Sequence, residues 1–262
     1  MQDLEQVKSL MLSLLRQAGL YLENKFYSFK NIYDKEASYI TDNFALKAEE
    51  IIVTGIKNKF PEHQIATPRN HQPELLTSKE PVWLVKAVDG LSHFSRNIPI
   101  YTINLTFQVN GQVMLGGVNF QPAKQIFLAE AGQGATLNGL PIHVSSVKEL
   151  SQAYLFVELP EEKDEHFGSE FDKIKELARA AKQVETFRIG ALGQCLVAIG
   201  AFDAYIDFSG TSTIYNQAAS LLMVKEAGGE VVHLEPPQKE NIRILATNGQ
   251  LTKEILEILN NH

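Results

Sequence analysis

The chain has 262 residues, with 31 acidic side chains against 24 basic ones and a formal net charge of −7. Hydrophobic residues make up 44% and charged residues 21%. That is enough to build one large core or two closely packed halves, and too apolar for a disordered chain. The acid excess argues against a dedicated nucleic-acid binder, and no run approaches the ~20 apolar residues that span a bilayer.

The elements follow in chain order. Leu4, Val7, Leu10, Met11, Leu14, Leu15, Ala18 and Leu22 recur at three and four, which predicts an amphipathic first helix, not a signal peptide. A second helix is expected from about Phe44 to Lys59, ended by Pro61, with a short strand over His63 to Ala66. Residues 67–81 read as an exposed loop. Strands are predicted over Val82–Val88, Tyr101–Val109, Gln112–Val118 and Gln125–Ala131, punctuated by Asn110-Gly111, Gly132-Gln133-Gly134 and Asn138-Gly139. His143 and His233 are placed in strands as structural residues.

The second half alternates. Strands are expected at Ala153–Glu158, Val184–Arg188, Phe202–Asp207, Glu230–His233 and Ile242–Ala246. Helices are expected at Phe171–Lys182, Gly193–Gly200, Tyr215–Glu226 and Leu251–Leu259, with Glu161–Glu165 as a solvated loop. An α+β half (1–150) thus packs on an α/β half (151–262) in one compact unit. The lone Cys195 lies in the apolar run Gln194-Cys195-Leu196-Val197-Ala198, so it reads as a buried thiol in a reducing, cytoplasmic setting.

Three stretches carry the chemistry: Trp83-Leu84-Val85-Lys86-Ala87-Val88-Asp89-Gly90, then Gly132 to Gly139, then Phe202-Asp203-Ala204-Tyr205 followed by Ala218-Ala219-Ser220 and Glu226-Ala227-Gly228-Gly229. In this order and separation they resemble the inositol monophosphatase family over nearly the whole chain. The resemblance implies an alternating αβαβα sandwich, usually a homodimer, in which carboxylates at the junction of the halves hold Mg²⁺ ions for phosphomonoester hydrolysis.

Residue by residue, the family's metal motif is degenerate here. Where it places a Glu after the short strand, this chain has Thr67-Pro68-Arg69. The first Asp of the Trp motif is Lys86, the second survives as Asp89-Gly90, and the following Thr is Leu91. The Trp-Asp pair near the later helix is Tyr215-Asn216, and the acid opening the second helix falls on or near Ala45, beside Asp42. Asp89 is the one metal-site acid retained.

Lys86 puts an ammonium where the family binds a cation. It either pairs with Asp89 or reaches out to solvent. The N–H groups of Gly90 and Leu91, with Lys86 and Arg69, could receive an anion. Asp207 and the turn at Ala191 fall at the family's substrate-contacting positions. His93 and Arg96 read as surface polar residues.

The leading expectation is a pseudophosphatase with a binding or regulatory role, needing no cofactor, whose partners are a second copy, a phosphorylated small molecule or anion, or a protein. The alternatives are an active Mg²⁺-dependent phosphomonoesterase on inositol monophosphate or a related sugar phosphate, drawing on Asp42, Glu74 or Asp207 as displaced ligands, and a phosphometabolite sensor.

Overall fold

The structure, a computed structural model, describes residues 4–28, 37–70, 72–161, 166–235 and 242–261. The predicted stripe of α1 (Leu4–Ser28) is buried at Val7, Met11, Leu14, Leu15, Ala18 and Leu22. It packs beside α2 (Ala37–Lys59), which buries Ala45, Ala48, Ile52 and Ile56.

Beneath these helices lies a seven-stranded sheet whose strands follow chain order. They are β1 (Gln64–Ala66), β2 (Val82–Asp89), β3 (Thr102–Val109), β4 (Gln112–Phe120), β5 (Gln125–Glu130), β6 (Gly134–Leu137) and β7 (Leu140–Pro141). Only β1–β2 is parallel; every later pair is antiparallel. Asn110 and Gly111 turn β3 into β4 with φ of 55° and 69°, the doubly positive geometry that makes Asn-Gly a hairpin signal. A single turn of helix, α3 (Leu91–Phe94), follows β2.

The second sheet contains β8 (Tyr154–Glu158), β9 (Gln183–Glu185), β10 (Ala204–Asp207), β11 (Glu230–His233) and β12 (Ile244–Thr247) in the order β11-β12-β10-β8-β9. Its helices are α4 (Phe167–Ala180), α5 (Gly190–Ala198), α6 (Ile214–Glu226) and α7 (Thr252–Asn260). Helix α5 is apolar nearly all round, as a helix buried on every side must be. It lies with α6 between the sheets, where Cys195, Ala219 and Met223 share a core with Phe127 and Tyr205. Helices α4 and α7 cover the outer face of the second sheet through Leu177, Ile255 and Leu259. The layers run helix, sheet, helix, sheet, helix: the sandwich that the resemblance implied.

Several local expectations need correction. The strand predicted over Val184–Arg188 ends at Glu185, because Arg188 adopts φ 54°, outside any strand geometry. The helix expected from Gly193 begins three residues earlier, at Gly190. His143 lies beyond β7 in no strand, and both it and His233 are exposed, so neither is a core histidine. Within the 67–81 loop, Pro73–Thr77 form a 3-10 turn, pinned where Gln108 Nε2 donates to the carbonyls of Leu75 and Leu76. Residues 162–165 of the predicted acidic loop lie outside the described residues. Among the described residues, no helix is long and apolar enough to cross a membrane.

Candidate functional site

Strands β2, β8 and β10 each end on a carboxylate: Asp89, Glu158 and Asp207. Carboxyl ends of strands are where open α/β sheets place ligands, because loops there are free to carry chemistry. Asp89 ends a strand that would ordinarily send residues 86 and 89 to opposite faces. The register of β2 against β3 shifts between Lys86 and Asp89, and this irregularity lets both line one cleft. Gly90 follows with φ 83°; a Cβ there would lie 2.4 Å from Ile189 Cδ1 and 2.7 Å from the Ile100 carbonyl. Only glycine fits that turn.

The cleft has a volume of about 440 Å³ and is lined by Glu49, Arg69, Lys86, Asp89, Leu91 and Arg188, among others. It shares Asp89 and Arg188 with an inner polar pocket of about 110 Å³ bounded by Glu158, Ser209, Asn216 and Gln217. On the other side, Glu49 and Arg69 connect it to an open groove of about 690 Å³ along β1, where Thr67, Asn70 and Lys57 lie.

Each residue singled out in the sequence has a definite place. Thr67 is buried just past β1; its Oγ1 accepts the N–H groups of Arg69 (3.2 Å) and Asn70 (3.4 Å), and its hydroxyl bonds Glu49. Burial pushes the Asp89 carboxyl up, while the Lys86 charge, the Gly90 N–H and the Asn104 amide oppose that push. Lys86 is half-buried in the same wall, and its charge acts on Asp89 without a direct ion pair between them within 4.0 Å among the described residues. The Gly90 N–H is engaged by Asp89 itself, and α3 is only four residues long, so the turn is not a free anion cradle.

Asn216 opens α6; its carbonyl accepts Asn104 Nδ2 at 3.0 Å, while its own Oδ1 is buried with no partner among the described residues. Asp207 is committed elsewhere: Oδ1 accepts the N–H and hydroxyl of Ser209 at 2.8 and 2.7 Å, and Oδ2 faces Gln217 Nε2 at 3.4 Å. Gln217, Gln194 and Ser220 continue that network into the layer between the sheets. Ala191 is fully buried in α5 and lines neither cavity. Asp42 is exposed on α2. His93 is half-buried, with burial and the Arg188 charge lowering its pKa.

Two site residues, Glu49 and Glu158, are not singled out by the sequence, and a third, Arg188, enters there only as the start of the turn that holds Ala191. Glu49 lies one helical turn past Ala45, and i+4 spacing on α2 was the available signal. Burial pushes its carboxyl up, against the charges of Arg69 (3.8 Å away) and Lys86. Glu158 pairs directly with Asp207 across the parallel strands β8 and β10. It is 5% exposed, and Oε1 has no hydrogen-bond partner among the described residues. Burial, reinforced by the charges of Asp207 and Asp89 and opposed by Arg188, pushes the Glu158 carboxyl up to about 8. Arg188 borders both cavities and bonds Glu161.

That raised carboxyl has a measurable consequence. The folded chain holds the Glu158 proton over a pH range in which the unfolded chain has lost it, so stability falls as pH rises toward 8. Glu158→Gln has no proton to lose. It should match the parent near pH 4 and exceed it by roughly 2–4 kcal/mol at about pH 9 in urea unfolding. Parallel pH profiles for the two would contradict this placement.

A five-layer sandwich with its cleft at the strand ends between two sheets is the architecture of the sugar-phosphatase class. The inositol monophosphatase family model matches residues 3–262, and the chain belongs to that family. It is 28% identical over 251 residues to an inositol monophosphatase of Mesembryanthemum crystallinum, covering 92% of this chain and 91% of that protein. It is 26% identical over 220 residues to the Nus factor SuhB of Pasteurella multocida, covering 83% and 81%. The structure of an Anabaena inositol monophosphatase superposes with a TM-score of 0.83 at 22% identity, covering 98% and 96% of the two chains.

Proposed function

We propose that this chain is a pseudophosphatase: it keeps the family's fold and cleft, binds a phosphorylated small molecule or anion there, and does not hydrolyse it. One observation carries the reading. Lys86, brought into the cleft by the irregularity in β2, shares its wall with the one acid that the family motif retains, Asp89, and its positive charge acts on that carboxyl. A fixed cation there repels a second one and neutralises the carboxylate that would hold it.

The surrounding donors point the same way. Thr67 and Asn216 are neutral, Glu49 already faces Arg69 and Lys86, and Asp207 is spent on Ser209 and Gln217. Among the described residues, no three His, Cys, Asp or Glu side chains are grouped so as to hold a metal ion. The residues present do not fit the family's Mg²⁺ cluster, and no catalytic step is assigned to one. A role through ligand or protein binding suits such a molecule, and a relative that bears the name of a Nus factor supports it. Calorimetric titration of the full chain with Mg²⁺ tests the reading: no saturable binding is expected at millimolar ion, and a saturable isotherm removed by Asp89→Asn would overturn it.

A further inference from the structure

We infer that the inner pocket at the ends of β2 and β8 receives a protonated amine, so that the ligand of the cleft is a small phosphomonoester carrying an ammonium group. This rests on the reading above of the cleft as a site that binds a phosphorylated small molecule without hydrolysing it.

The pocket is built from acceptors. Asp89 brings a carboxylate, Glu158 a carboxyl group whose proton a bound cation would displace, and Asn216 an amide carbonyl, to a space of about 110 Å³. Glu158, 5% exposed, has an unpartnered Oε1, and Asn216 has an unpartnered, buried Oδ1; both residues line the pocket. Buried acceptors without donors are costly, and native structures complete them with water, an ion or a ligand.

Three donors native to the pocket are already placed. The Ser209 hydroxyl donates to Asp207, Gln217 Nε2 faces Tyr205 and Asp207, and the Arg188 guanidinium reaches out to Glu161. What fits is a group rich in donors, poor in acceptors and positively charged. An ammonium offers three donors and no acceptor. A hydroxyl brings one donor together with lone pairs that would face Asp89 and Glu158. A divalent ion would meet twice the repulsion from Lys86 and Arg188, whose charges act on Asp89 and Glu158, that an ammonium meets.

The adjoining cleft supplies the complementary half. It shares Asp89 and Arg188 with the pocket and adds Lys86 and Arg69, three cations that face Glu49, Asp89 and the Glu161 that Arg188 bonds. A ligand with its ammonium inside and its phosphate outside meets each sign where the protein presents the other. Charge-assisted hydrogen bonds of this kind are the strong ones, and Arg suits a phosphate oxygen pair.

The test is calorimetric titration of the full chain in EDTA with glucosamine 6-phosphate, glucose 6-phosphate and inorganic phosphate. Glucosamine 6-phosphate is expected to bind about 10- to 100-fold more tightly than glucose 6-phosphate, the value of one charged hydrogen-bond set. Glu158→Gln should bring the two within about twofold by weakening only the amino sugar, while Asn216→Asp, adding a carboxylate, should widen the preference. Equal affinities, or a preference that survives Glu158→Gln with the variant folded, overturn the amine assignment alone. Heat from none of the three ligands overturns the binding reading with it. Mg²⁺-dependent turnover by the parent chain would overturn the pseudophosphatase reading and leave an observed amine preference standing.

Discussion

Thr67→Glu, Lys86→Asp and Asn216→Asp introduced together are expected to make the chain hydrolyse inositol monophosphate in Mg²⁺ at least about a hundredfold faster than the parent, a gain that only a restored metal centre supplies. The three changes make the cleft four charges more negative: one at residue 67, two at residue 86 and one at residue 216. Residues 86 and 216 each line a cavity with Asp89, and residue 67 lines the groove along β1 that Glu49 and Arg69 connect to it. No single reversion should suffice, because Thr67→Glu or Asn216→Asp alone leaves the Lys86 ammonium in place, and Lys86→Asp alone leaves too few oxygen ligands. Clustered carboxylates repel one another without a cation, so the triple variant should melt below the parent in EDTA and recover in Mg²⁺. A folded triple variant that gains neither activity nor Mg²⁺-dependent stability would show that these residues are not the cause.

Gly116→Ala should cost about 2–3 kcal/mol and lower Tm by roughly 5–10 °C, although it adds one methyl group. Gly116 lies in β4 where α6 crosses the sheet, and a Cβ there would lie 2.6 Å from the Ala219 carbonyl oxygen and 2.8 Å from its Cα. Both are backbone atoms, so the added carbon moves the whole helix, and rotamer changes give no relief. Helix α6 also carries Asn216 and Gln217, so the same shift should loosen the inner pocket. Gly168→Ala in α4 is the control: nothing lies within 4 Å of its Cβ position, and it should be neutral or stabilising by up to about 1 kcal/mol. Equal losses at both positions would contradict the close α6–β4 packing.

How far the sequence could be read depends on which force sets each feature. The α1 stripe and the hairpins at Asn110-Gly111 and Asn138-Gly139 follow from local periodicity and positive φ, so they were legible. So was the burial of Cys195 in α5, since an apolar run has no solvent face. The ends of β9 and α5 were not legible, because Arg188 holds a left-handed conformation that no local propensity asks for.

The site was half legible. Thr67, Lys86, Asp89 and Asn216 border the connected cavities, as a motif read along the chain could suggest. Asp207 sits at the expected strand end, yet its carboxylate serves an internal network, which only the packing of α6 reveals. In the sequence, Glu158 is only the last residue of an expected strand. Its importance arises from a neighbour 49 positions away, since Asp207 pairs with it across parallel strands. Two carboxylates side by side in a buried place are a tertiary fact.

The same holds in part for Lys86. The motif already marks it, and the register shift in β2 is what turns it toward the cleft with Asp89. The acid excess of the whole chain says nothing of this local balance, where basic side chains face the retained acid.

The most direct test of that balance is steady-state phosphate release by the unmodified chain from inositol monophosphate and other sugar phosphates, across a Mg²⁺ series up to millimolar concentration. Release at the no-enzyme background throughout is the predicted result. Saturable, Mg²⁺-dependent turnover that is lost in Asp89→Asn would contradict the account.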